Sequence, residues 1–195
     1  MAKFDQSQVA DMVTVIDRNY NVVARSHKPE MFGDTILPNP FIESALSGKT
    51  VSGTESVSYE DVCRDGAEYL FRSADPSERI IALTSASPIY DQSQKNIIGA
   101  VIVRDILNND LMLINKISEI VNGEIAFFNQ ETLIASNISP DKRSEFNDLP
   151  LATRKTLFEE NRTFREVNIE SGGHLSAYEP LTDIAGNRRS HDDTV

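Results

Sequence analysis

Residues 87–106 read SPIYDQSQKNIIGAVIVRDI, the centre of a hairpin. Alternating residues from Arg79 to Tyr90 lead into a polar turn at Asp91, and a second run extends from Asn96 to Leu107. That second run is apolar on both faces, as a strand in mid-sheet must be. Further along, residues 176–187, SAYEPLTDIAGN, begin the same pattern of strand, proline, acidic turn and Gly-Asn. Each hairpin follows its own strand-turn-strand opening, MVTVIDRNYNVVARSH at 12–27 and EIAFFNQETLIASN at 124–137. The chain therefore reads as two copies of one small unit: residues 1–107, then residues 108–187 with a linking helix, then a polar tail at 188–195. The expected fold class is α+β, with mainly antiparallel sheets flanked by helices in tandem, the second unit incomplete for lack of a final apolar strand after Gly186.

Between these strands the helices carry their own signals. Asn39 precedes Pro40 and caps a short helix to Leu46, with Gly48 just past its end. Val51 to Val57 is extended. Ser58 and Asp61 have the form of a capping box, and the helix they open would carry Tyr59, Val62, Cys63, Leu70 and Ala74 near one face until Asp75-Pro76 stops it. Asn108-Asn109-Asp110 caps a helix from Leu111 to Val121, whose stripe of Leu111, Ile114, Ile117, Ser118 and Val121 reads as core. In the second unit strands are expected at 124–129, 132–137, 163–170 and 173–180, with a helix near 150–160.

Composition excludes several functions. The chain has 195 residues, 39% hydrophobic and 25% charged, enough for a packed core. Its net charge of -11 is wrong for a nucleic-acid surface, which needs clustered Lys and Arg. The single cysteine, Cys63, rules out an intrachain disulfide and a Cys-rich zinc site. His27, His174 and His191 are far apart, and no nucleophile elbow, zinc-protease, P-loop or dinucleotide motif occurs. No catalytic residue, metal or cofactor is expected. No apolar run reaches a membrane span, and the opening Met-Ala-Lys close to a strand suggests a piece cut from a longer, membrane-anchored parent.

The arrangement resembles the Cache superfamily, the PAS-like extracytoplasmic sensor domains of chemoreceptors, histidine kinases and cyclic-dinucleotide enzymes. The resemblance is carried by residues 13–34, 40–56 and 87–103 in the first unit and by 125–137 and 175–187 in the second. It implies a PAS-like double Cache fold and a sensor role outside the cytoplasmic membrane. The implied partners are a small solute and a second copy of the chain. Two departures stand out: the missing last strand, and the absence of the Trp-containing signature of the amino-acid-sensing branch, which residues 68–72, EYLFR, do not reproduce.

Such a module holds its ligand between sheet and crossing segment. In the first unit the candidate ligand-binding residues are Arg25, His27, Thr84, Ser85, Ser87 and Arg104. The arginines and the histidine point to a carboxylate, since a guanidinium offers two parallel charge-assisted hydrogen bonds. Dicarboxylate- and citrate-sensing relatives end a strand in R-x-S-H-P. Here Ser26 and His27 match and Arg25 stands one place late, a one-residue shift that turns a strand side chain to the opposite face. The plainer reading puts Arg25 on the surface, His27 against its loop, Arg104 in an ion pair, and the hydroxyls on an ordinary polar sheet face. Two other classes remain open: a cytoplasmic PAS or GAF-like cofactor module, and a ligand-less interaction domain.

Overall fold

The computed structural model describes residues 10–70, 80–129, 132–139, 151–160, 164–168 and 174–185. The chain divides into two compact units, residues 1–108 and 109–195.

The first unit is built on one antiparallel sheet. Its strands are β1 (Met12–Asp17), β2 (Val22–Arg25), β3 (Val51–Val57), β4 (Ile80–Tyr90) and β5 (Ile97–Ile106), in the order β2-β1-β5-β4-β3. β5 lies in the middle, paired with β1 and β4, as its two-sided apolar run requires. Strict alternation decides which side chains face inward: Met12, Thr14 and Ile16 of β1 are buried, as are Ile80, Ala82, Thr84 and Ala86 of β4. Gly99 sits opposite Asp17, and a Cβ there would fall 2.1 Å from the Ile16 carbonyl oxygen, so only glycine lets the two backbones meet.

Both hairpin turns are closed by an aspartate. Asp17 accepts from the backbone N–H groups of Asn19 (2.7 Å) and Asn21 (2.9 Å) and from the Asn21 side chain. Asp91 accepts from the side chains of Asn96 (2.7 Å) and Ser93 (2.8 Å) and from the Lys95 N–H. These bonds favour the ionised form and hold Asp91 down to about 2, with the Asn96 side chain the largest cause.

Two helices cover the sheet. α1 (Pro40–Leu46) starts where Ile42 N–H donates to Asn39 Oδ1 at 2.9 Å. It buries Phe41, Ile42 and Ala45 over β4 and β5; each large side chain contributes roughly 1.5–3 kcal/mol. α2 (Tyr59–Asp65) is capped by Ser58, which accepts from the Asp61 N–H at 3.1 Å. Its Val62 packs into a core of Met12, Val57, Ile80, Ala82 and Ile106. The helix ends earlier than the apolar spacing suggests. Gly66 adopts φ +84°, a left-handed cap that terminates α2, and Leu70 belongs to a separate 3₁₀ turn, Glu68–Leu70. Ala74 and the expected stop at Asp75-Pro76 lie outside the described residues.

The second unit contains α3 (Leu111–Val121), the hairpin of β6 (Ala126–Asn129) and β7 (Thr132–Ser136), α4 (Leu151–Arg154) running into a π turn (Lys155–Glu159), and the hairpin of β8 (Phe164–Asn168) and β9 (His174–Tyr178). Asp110 caps α3 by accepting from the Leu113 N–H at 3.0 Å, and Asn122 ends it at φ +51°. The α3 stripe is only partly core: Ile114 is buried, Ile117 and Ser118 are half-buried, and Leu111 and Val121 are exposed. The expected tail at 188–195, with His191, lies outside the described residues. No helix among the described residues is long and apolar enough to cross a membrane.

Candidate functional site

The inner face of the five-stranded sheet is apolar except for one band that crosses it. β2 supplies Arg25, β1 Thr14, β5 Arg104, β4 Thr84 and β3 Glu55, one polar side chain per strand. Register places them: Thr14 faces Arg25 across β1–β2, and Thr84 faces Arg104 across β4–β5. From above, the last residue of α2 lowers Asp65 into this band.

Buried polar groups are usually paired, and Asp65, Thr14 and Arg25 are. Asp65, 5% exposed, accepts from Arg25 Nε at 2.6 Å and from Thr14 Oγ1 at 2.9 Å. Arg25, 4% exposed, also donates from Nη1 and Nη2 to both oxygens of Asp34, at 2.8 and 2.7 Å, and from Nη1 to the Met31 carbonyl. The fork-on-fork contact raises the Arg25 pKa above its already high ordinary value and holds Asp34 below the usual carboxylate range. Glu55 Oε1 accepts from Thr84 Oγ1 at 2.8 Å and from Arg104 Nε at 2.6 Å.

Arg104 differs from Arg25. Beyond the bond to Glu55, its nearest charge is Asp65 Oδ2, 3.9 Å from Nη1 and too far for a hydrogen bond. Among the described residues both terminal nitrogens thus keep unspent donors, on a side chain that is 9% exposed. Arg104 borders a cavity of about 230 Å³ between the 36–39 loop, the end of β3 and α2. Ile36, Leu37, Pro38 and Val57 give it apolar wall; Glu55, Asp61, Arg64, Asp65 and Arg104 give it charge. Arg64 is already shared between Glu60 (2.8 Å) and Asp61 (3.3 Å).

Of the residues singled out from the sequence, Arg25, Thr84 and Arg104 meet in this network, and only Arg104 lines the cavity. Arg25 is not a surface residue: its inward register in β2 buries it, and all but one of its donors are spent. Ser85 alternates to the other face of β4, exposed and 2.8 Å from Ser52 Oγ. Ser87 donates to Thr50 Oγ1 at 3.1 Å. His27 is exposed, with Nε2 donating to the Asp11 carbonyl at 2.7 Å and its ring edge-on to Tyr69. In the second unit His174 pairs across β8–β9 with Asn168. Among the described residues no group of His, Cys, Asp and Glu is arranged to hold a metal ion.

The sensory-domain family described as the double sensory domain of two-component sensor kinases (dCache_3) matches residues 1–191. The chain belongs to the double Cache family. A match over nearly the whole length, on a chain with a five-stranded antiparallel sheet and helices laid on it, assigns the PAS-like Cache fold and a sensory role to this protein. Among curated proteins none matches the chain. In this Cache protein the cavity at Arg104 lies among the 36–39 loop, β3, α2 and β5.

Proposed function

We propose that the first Cache unit binds a small organic anion, a carboxylate, in the cavity at Arg104, and that it does so outside the cytoplasmic membrane as the input region of a membrane-anchored sensor kinase. The unit acts by binding and carries out no chemistry of its own. One observation carries the proposal: Arg104 lines the cavity and is more than nine-tenths buried, yet among the described residues its Nη1 and Nη2 have no hydrogen-bond acceptor. A guanidinium so placed has little access to water and gains most from a carboxylate that takes both donors at once. His27, Ser85 and Ser87 have no part in this site; Thr84 serves it by holding Glu55.

Signalling follows from the position of Arg104 on β5. Only Leu107 to Asp110 separate that strand from α3, so a ligand that favours one arrangement of β5 and α2 over another biases the start of α3. A thermal-shift screen of the purified chain against organic acids, amines, sugars and purines tests the ligand class. A carboxylate at a hundred times its Kd should add about 2.7 kcal/mol of stability, a clear rise in Tm. Shifts confined to neutral solutes or amines would refute it.

A further inference from the structure

The edge of the sheet carries a second surface, independent of the cavity reading. We propose that β3 pairs antiparallel with β3 of a second copy of the chain, joining two five-stranded sheets into one. β3 is an end strand, bonded to β4 along its 7 residues without a bulge. Neighbouring bonds tell which of its backbone groups point outward. Ile81 N–H donates to Asn108 Oδ1 and the Ile81 carbonyl accepts from the Leu107 N–H, so the Ile81 backbone faces β5. Alternation turns Ile80, Ala82, Thr84 and Ala86 towards β3, and their partners Val57, Glu55, Gly53 and Val51 towards β4. The N–H and carbonyl groups of Ser52 and Ser56 therefore face away from the sheet, where no described residue bonds them.

The sequence of the strand says what fits there. Residues 51–57, VSGTESV, read nearly the same in both directions about Thr54. Two copies laid antiparallel about that residue set Val51 against Val57, Ser52 against Ser56 and Gly53 against Glu55. Ser52 and Ser56 then exchange N–H to carbonyl bonds at both ends of the pair, and their side chains bring hydroxyl beside hydroxyl. Edge strands are commonly guarded by lysine, proline, a bulge or an inward charge, and β3 has none of the first three. Its one charge, Glu55, already meets Arg104 at 2.6 Å and would face a glycine across the seam, so pairing leaves no ion alone. A patch that matches itself through a two-fold axis closes at two copies.

Oxidative cross-linking reads this register. In a Cys63→Ser background, the double variant Ser52→Cys/Ser56→Cys puts the facing Cα atoms of the two copies about 5.5 Å apart, within reach of a disulfide. Either cysteine alone lies about 13 Å from its counterpart, and the two cysteines of one strand are equally far apart, so neither can close. The double variant should give a reducible covalent dimer at least about tenfold more abundant than either single variant. Wild type, which needs no substitution, should sediment as a dimer at high concentration. A double variant no more cross-linked than the singles, or wild type that sediments as a monomer at every concentration, would overturn the proposal.

Discussion

Arg25 Nε donates to Asp65 Oδ1 at 2.6 Å, joining residues 40 positions apart, both almost wholly buried. The pair fastens the C-terminal end of α2 to the edge of the sheet. Through Asp34, the same guanidinium fastens the loop that runs on to the cavity wall at Ile36 to Pro38. One arginine thus holds two sides of the cavity, and in the function proposed above its neighbour Arg104 is the one that meets the ligand.

Breaking that pair should be costly, because it leaves the buried Nε of Arg25 and the hydroxyl of Thr14 without their acceptor. Asp65→Ala is expected to destabilise the first unit by roughly 1.5–3 kcal/mol, read from urea unfolding. The double variant Arg25→Met/Asp65→Leu, which removes both charges, should lose markedly less. Equal losses would show that packing, rather than charge, makes the contact important.

Acid should loosen the same loop. Asp34 has a depressed carboxyl pKa in the folded chain because Arg25 holds its ionised form. Its contribution is fully present above the unfolded value, near 3.9, and is lost as pH falls through the lower folded value. The difference in Tm between wild type and Asp34→Asn should therefore be constant from neutral pH to about 5 and shrink at still lower pH. A difference that grows on acidification contradicts the assignment.

The end of α2 depends on Gly66. At φ +84° a β-carbon is strained, and it would also lie 2.7 Å from Lys28 Cγ. Gly66→Ala is expected to cost about 1–3 kcal/mol. Adding Lys28→Ala should recover the steric part and leave the backbone part, measured as a double-mutant cycle by thermal unfolding. Full recovery would mean the left-handed conformation costs nothing.

Asp91 organises the β4–β5 turn as an anion. Carboxyl resonances followed by NMR should place its titration at about 2, well below that of a solvent-exposed aspartate. Asn96→Ala should move it upward, since the Asn96 side chain is the largest cause of the depression.

Most of the first unit is legible in the sequence because its signals are local. Alternation and aspartate turns mark β1–β2 and β4–β5, and Asn39 and Ser58 mark the starts of α1 and α2. The end of α2 is harder to read, since the apolar spacing runs on past Gly66 whereas the chain takes its left-handed cap there. The site is half legible. Arg104 and Thr84 stand out as polar residues on an apolar strand pair, but strand parity separates Thr84 from Ser85. Their partners do not stand out. Glu55 lies 49 positions from Arg104, and Asp65 lies 51 from Thr14; nothing local in the sequence announces such pairings. In α3 the apolar stripe suggests a core helix, yet Leu111 and Val121 are exposed, because periodicity identifies a face without showing what covers it.

The most direct measurement compares a carboxylate identified by thermal shift on wild type and on Arg104→Lys, by titration calorimetry at equal ionic strength. Lysine keeps a positive charge near Glu55 but loses the planar pair of donors. If the carboxylate lies on Arg104, its affinity should fall at least tenfold in a variant whose circular dichroism and melting curve stay close to wild type. An unchanged Kd in that folded variant would contradict binding at Arg104.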